Sequence, residues 1–328
     1  MKSDWRWDQR DLTELLTLES AGRQNWRSCV CDTNANGRVY GGQLLGQTLW
    51  AAAQTVDGRS PSMLQITFLQ GARPQEAIEY SVEPLQDGRR LSTRHVYGVQ
   101  GTGLVLSANA SFQVTQADPG NPQRLQHPVP TPESLPTLAE LAERYPHDSE
   151  AVQLRFNARP VLDIRPVHPE GYFEHAAEQR EISYWVRLNQ ALPSEGCLHH
   201  AALAYLSDSW LNASLAPRKG MLELWQHYYV SNLNHTLWFH SLAINVNEWL
   251  LFVNDALHSL SGRGLAMTHI YQRDGRLVAS MAQDLLISPR DARALANLEG
   301  GVSQRQMGDT CKVSHAPGHG PATPGALQ

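Results

Sequence analysis

RHVYGVQGTGLVLSANA (94–110) and THIYQRDGRLVASMAQ (268–283) are two versions of one hairpin. Each runs a strand-like stretch through a turn into small apolar residues, setting His95 against His269 and Ser107 against Ser280. The turns differ by one residue, and the 174-residue period is close to half of the 328-residue chain. Self-similarity at a fixed period marks a repeated structural unit. The chain therefore reads as two copies of one domain.

What surrounds each hairpin repeats as well. Before the first stands GGQLLGQTLWAAAQTV (41–56), an apolar run of helical character opened by two glycines. Four strand-like runs follow between Ser62 and Gln113: MLQITFL, AIEYSVEPL, LSTRHVYGV and GLVLSANASFQ. Asp87–Gly88 and Gly101–Thr102–Gly103 separate several of them, as antiparallel hairpins require. In the second half, ISYWVRL (182–188) reads as a strand and LHHAALAYLSDSWLNASL (198–215) as a helix, with further strand-like runs over 230–287. A short leading helix is predicted over 11–18. Residues 116–180 are rich in proline and polar residues, with one helical stretch near Leu138–Arg144, and read as a linker. A long helix wrapped by an antiparallel sheet is the hotdog arrangement, here in duplicate. The predicted class is thus α+β, a double hotdog: one domain over 1–115, a proline-rich linker over 116–180, and a second domain over 181–290. A tail over 291–328, Gly- and Pro-rich without apolar periodicity toward its end, is expected to be disordered.

Composition narrows the function. Hydrophobic residues make up 41% and charged residues 18%, a globular balance. With 27 Lys+Arg against 32 Asp+Glu the formal charge is -5, which excludes a general nucleic-acid binder. An anionic ligand must then be met by a local basic patch. Cys29, Cys31, Cys197 and Cys311 are too few and too scattered for a disulfide framework, and Cys29–Cys31 lacks the spacer of a zinc or redox pair. No metal site is expected. The N-terminal MKSDWRWDQRDLTELL carries charges where a signal peptide needs an apolar core, and stretches such as Trp249–Val253 are far short of a membrane span. A soluble, cytoplasmic protein without a membrane partner is the expectation.

GRVYGGQLLGQTL (37–49), HHAALAYLSDSWL (199–211), NHTLWFH (234–240), NEWLLF (247–252) and DGRLVASMAQ (274–283) together resemble the acyl-CoA thioesterase II (TesB-type) family. The resemblance runs in order from about residue 11 to residue 290. It implies a double-hotdog enzyme that hydrolyses acyl-CoA to a fatty acid and CoA with no metal or organic cofactor, and a homo-oligomer, dimer or tetramer. It also implies a water-activating set of Asp, Ser/Thr and Gln. These fall on Asp208, Asn232 and Gln283, so that an Asn stands at the Ser/Thr position. Further departures are Asn234 before His235, Gln65 at a position commonly His, and Phe68–Leu69–Gln70–Gly71 in place of FLRP.

The residues also speak for themselves. Asp208 lies among Leu203, Tyr205, Leu206 and Trp210, and a buried carboxylate is raised toward the pKa of a useful base. A helix cap or an arginine partner would account for it equally. Gln283, among small apolar residues, suits either orientation of a water or satisfaction of a backbone group. Gly41, Gly42 and Gln43 open a helix whose free N–H groups can receive an anion or oxyanion. Arg38, with Arg89, Arg90 and Arg94, is a candidate for CoA phosphates. No Gly-x-Ser-x-Gly elbow is present, which disfavours a serine hydrolase. The alternative to hydrolysis is a divergent hotdog protein that binds an acyl thioester, or a thioesterase specialised to one pathway.

Overall fold

The structure, a computed structural model, describes residues 5–290 except 35, 117–119, 121–122, 147–158, 170–180, 195–196 and 210–227. Contacts divide the chain into one compact unit, Met1–Ser288, and a remainder, Pro289–Gln328, most of which lies outside the described residues together with the expected disordered tail. The compact unit begins with α1 (Leu12–Leu16), whose N-cap Asp11 accepts from the Thr13 N–H. The hairpin β1 (Glu19–Gly22) and β2 (Asn25–Arg27) precedes the long helix α2 (Gly41–Ala53). Strands β3 (Ser60–Phe68), β4 (Glu79–Asp87), β5 (Leu91–Gln100) and β6 (Gly103–Gln113) complete the first half. The second half holds α3 (Leu138–Arg144), β7 (Leu162–Pro166), β8 (Glu181–Leu188), α4 (Leu198–Ser207), β9 (Tyr228–Phe239), β10 (Leu250–Leu260), β11 (Arg263–Gln272) and β12 (Leu277–Pro289). The helix expected over 198–215 is α4 as far as Ser207; from residue 210 that expectation lies outside the described residues.

All 12 described strands form one sheet, joined at its middle by the antiparallel pair β3–β9. Outward from that junction the first half runs β3-β6-β5-β4-β2-β1 and the second β9-β12-β11-β10-β8-β7. The two orders are the same order. The predicted duplication is therefore a duplication of topology, and α2 and α4 lie side by side within it. Their contact is unusually close because α2 presents glycines: a Cβ on Gly46 would stand 2.9 Å from the Ala201 carbonyl oxygen, and one on Gly42 2.4 Å from that of Tyr205. The pairing of 42 with 205 and 46 with 201 makes the helices antiparallel, so α2 begins where α4 ends.

The proline-rich stretch is not a plain linker. Leu141 of α3 is wholly buried, and β7 is the edge strand of the sheet, with Ile164 in the core. Residues 123–135 lie along the outer face of the second half, where Leu125, Val129 and Leu135 cover Trp185, Trp249, Leu251 and Tyr271. The Leu125 N–H donates to Gly275 O at 2.8 Å, the Leu277 N–H to Gln123 O at 2.9 Å, and Trp185 Nε1 to Pro130 O at 3.0 Å. Proline removes backbone donors and so suppresses a strand or helix signal, but its extended chain still covers apolar surface. This explains why β8 reads as a nearly unbroken apolar run: it is buried on both faces.

Candidate active site

Asp208 caps the C-terminus of α4 with φ -83° and ψ 1°, which turns its carboxylate out of the helix and toward the start of α2. Two strands supply its partners. Asn232 of β9 donates from Nδ2 to Oδ1, and Gln283 of β12 donates from Nε2 to the same oxygen at 3.1 Å. The Gly42 N–H at the first turn of α2 also donates to this carboxylate. Burial pushes the carboxyl up to about 7, and the three hydrogen bonds and the more distant Arg159 only partly oppose it. The residue as a whole keeps some exposure. Its hydrogen-bond partners are thus two side-chain amides and a backbone N–H rather than an arginine.

Local sequence explains each placement. On β12 the residues Ala279, Met281, Gln283 and Leu285 alternate onto the buried face, which carries Gln283 inward at 1% exposure. Its Oε1 is buried without a partner among the described residues. On β9 the phase breaks: Asn232 reaches inward to Asp208, Asn234 reaches Asp284, and His235 is again wholly buried. Residues two apart facing opposite ways mean a local irregularity at Leu233, a device that re-aims a side chain. Gly41 completes the site by having no side chain, since a Cβ there would lie 2.6 Å from Asp208 Oδ2 and 3.3 Å from Asn232 Nδ2.

Other expected site residues fare differently. Gln43 is turned away: its Oε1 accepts from the Asp32 N–H at 2.7 Å, and its Nε2 donates to Val30 O at 3.1 Å and Gln47 Oε1 at 3.2 Å. Those bonds correct its reading as a substrate group. Gly42 spends its N–H on Asp208, whereas the Gly41 N–H has no partner among the described residues. Arg38 is exposed beside Gly71, three residues before α2 starts. Arg94 is buried, bound to Thr55 Oγ1 at 2.8 Å, Thr55 O at 3.0 Å and Asp87 at 2.8 Å. It belongs to the far end of α2, about 20 Å from Gly41 at 1.5 Å per residue over 13 residues. Arg89 and Arg90, in the neighbouring β4–β5 turn, share that distant end. The sequence alone missed Tyr40, whose hydroxyl lies 3.2 Å from Ser209 Oγ, and the buried pair Arg159–Asp32 behind it.

The sequence repeat does not repeat the site. The ladder sets His95 opposite Asn109 but His269 opposite Ser280, so the counterpart of Ser280 is Asn109 rather than Ser107. Three residues further along, the counterpart of Gln283 is the apolar, wholly buried Phe112. A two-residue slip preserves the face of every side chain, which hides it from a pattern match.

Two family models match the chain: an acyl-CoA thioesterase N-terminal domain over residues 32–113 and an acyl-CoA thioesterase C-terminal domain over 130–287. Together they span well over half of it. The chain belongs to the acyl-CoA thioesterase family. Human acyl-coenzyme A thioesterase 8 is 29% identical, aligned over 84% of this chain and 88% of its own. Acyl-CoA thioesterase 2 of Haemophilus influenzae is also 29% identical, over 84% of this chain and 96% of its own. Among solved structures, the acyl-CoA thioesterase II TesB2 of Mycobacterium marinum superposes with a TM-score of 0.69 at 28% identity, covering 86% of this chain and 99% of that one. A hot dog fold protein of Alicyclobacillus acidocaldarius, at 18% identity and TM-score 0.65, carries the same fold over 84% of this chain and 97% of its own. The double-hotdog architecture of this thioesterase is thereby shown. No helix among its described residues is long and apolar enough to cross a membrane.

Proposed function

We propose that this acyl-CoA thioesterase works by direct attack of water on the thioester carbonyl, with Asp208 as the base. The chain is a thioester hydrolase that takes acyl-CoA to a free acid and CoA. The observation that carries the mechanism is the near-neutral Asp208 carboxylate, with Oδ1 occupied by Asn232 and Gln283 while Oδ2 faces the Gly41 backbone. A water there donates one proton to Asp208 Oδ2 and the other to the unpartnered Gln283 Oε1. Its lone pair is then directed at the carbonyl carbon. As the new C–O bond forms, the carbonyl electron pair moves to oxygen, where the Gly41 N–H and the positive end of α2 receive it. Asp208 takes the proton. Collapse breaks the C–S bond, and the CoA thiolate recovers the proton from Asp208; a thiol pKa of about 8.5 makes that transfer downhill from a carboxyl near 7. Arg38, exposed near the start of α2, is the group in reach of a CoA phosphate.

Single turnover in ¹⁸O-labelled water tests the route. Direct attack places the label in the first-turnover acid. An unlabelled first product, its oxygen drawn from Asp208, would mean an anhydride intermediate and overturn the proposal. Two further expectations travel with it. Cys29, Cys31 and Cys197 are free thiols, which fits a reducing, cytoplasmic setting. A homo-oligomer is expected, and sedimentation should give a dimer or tetramer of the 36.5 kDa chain rather than a monomer.

A further inference from the structure

We infer that the buried Arg159–Asp32 pair is a positioning device for Asp208, its two charges acting from behind Tyr40 to set where on the pH scale the base works. The inference rests on the reading of Asp208 as that base. Arg159 Nε donates to Asp32 Oδ2 at 2.7 Å with both side chains inside the protein, and the Tyr205 hydroxyl donates to the same oxygen at 2.9 Å. The guanidinium lies 4.6 Å over the Tyr40 ring. That ring is the wall between the pair and the site: its hydroxyl meets Ser209, the neighbour of Asp208, and its backbone leads directly into Gly41 and Gly42. Gln43 fixes Asp32 from below through the Asp32 N–H. The network therefore ties a residue of the proline-rich segment, the start of α2 and the end of α4 together beside the carboxylate.

A buried charge pair behind Tyr40 acts on a buried carboxyl through low-dielectric protein, as the influence of Arg159 on Asp208 indicates. The cation favours ionised Asp208; the Asp32 anion opposes it. The other titratable groups facing the site hold one state throughout an assay from about pH 5 to 9, the span where only histidine-like groups ordinarily titrate. Burial raises Tyr40 and Tyr205, pushes Cys31 up to about 12 and pushes His235 down to about 3. Asn232 and Gln283 carry no charge. Asp284, on the opposite face of β12 from Gln283, is paired with Arg263, and Arg159 and Asp32 are the buried charged pair behind Tyr40.

The test is the acid limb of kcat/KM against pH for four folded proteins: wild type, Asp32→Asn, Arg159→Met and Arg159→Lys, with Asp208→Asn beside them. Removing the anion is expected to move the limb down by about half to one pH unit, and removing the cation to move it up by a similar amount. Lysine, which keeps the charge, leaves the limb near the wild-type position. A merely structural pair would lower turnover in both variants without moving the limb in opposite directions. Limbs that stay put, or shift the same way, overturn the inference while Asp208→Asn remains inactive. If Asp208→Asn retains wild-type turnover, the reading of the base itself has failed. Should Arg159→Met not fold, the Asp32→Asn and Arg159→Lys limbs decide alone: downward for the first and unmoved for the second, or the inference falls.

Discussion

Burial of Asp208 carries a cost in stability. A carboxyl of about 3.8 in the unfolded chain stands near 7 in the folded one, so the folded state holds its proton more tightly. As pH rises from about 4 to about 7 the unfolded form gains ionisation that the folded form is denied, and stability falls over that window. Asp208→Asn removes the effect. Its melting temperature should exceed the wild type's at pH 8, with the gap closing by pH 4; a gap independent of pH would mean that Asp208 is not raised. Gly41→Ala places a methyl 2.6 Å from Oδ2, at the proposed water position, and should lower kcat at least about 10-fold in a folded protein. Unchanged kcat would move the water elsewhere. Asn232 bonds Asp208 directly, whereas a threonine hydroxyl is shorter and leaves room for a water it can both donate to and accept from. Displacement of a reacting atom by about 1 Å can cost about 10²-fold, so Asn232→Thr should raise turnover of simple acyl-CoAs. A loss would show Asn to be the working choice at this site. That Asp208, Asn232 and Gln283 meet was legible in sequence because each sits in a stretch that resembles the family at fixed spacing. Gln43 was not, because α2 is buried on nearly all sides and offers no polar phase from which to read the direction of a side chain. Arg159 was hidden by distance, being 127 residues from Asp32.

The two long helices set the scale at which the site is assembled. α2 can deliver Gly42 to Asp208 only because Gly42 and Gly46 let it lie against the α4 backbone. A Cβ on Gly46 would meet Leu16 Cδ2 at 2.5 Å and the Ala201 carbonyl oxygen at 2.9 Å. The first contact can yield by rotation, while the second is backbone and forces the helices apart. Alanine gains about 1 kcal/mol of helix propensity over glycine, and overpacking costs about 1–3 kcal/mol. Gly46→Ala should therefore lower the melting temperature, with loss of activity as the helix ends separate; an equal or higher value would show that the helices part freely. The glycines that open α2 announced a helix start, but their purpose as a close approach to a second helix required the partner. Strands β3–β6 and β9–β12 were readable from alternation and Gly turns. The two-residue slip between the repeats was not, because alternation is blind to shifts of two.

At the scale of the whole chain, duplication supplied two helix junctions, of which one brings Asp208 and Gln283 together while the counterpart of Gln283 at the other is Phe112. The segment between the halves, read as a linker, supplies β7, a cover for the second half's outer face, and Arg159. Its prolines masked these roles, since extended coverage leaves no periodicity. The double-hotdog class, by contrast, could be read from the repeated order of helix and strands alone. What remains is whether the one furnished junction does the hydrolysis. Free-thiol release from a panel of acyl-CoAs of varied chain length, by wild type and by Asp208→Asn, measures this directly. The wild type should release CoA from at least one member, and the folded Asp208→Asn protein should do so at least about 10²-fold more slowly. Equal rates for the two proteins, or binding of acyl-CoA by the wild type with no thiol released from any member, would contradict it.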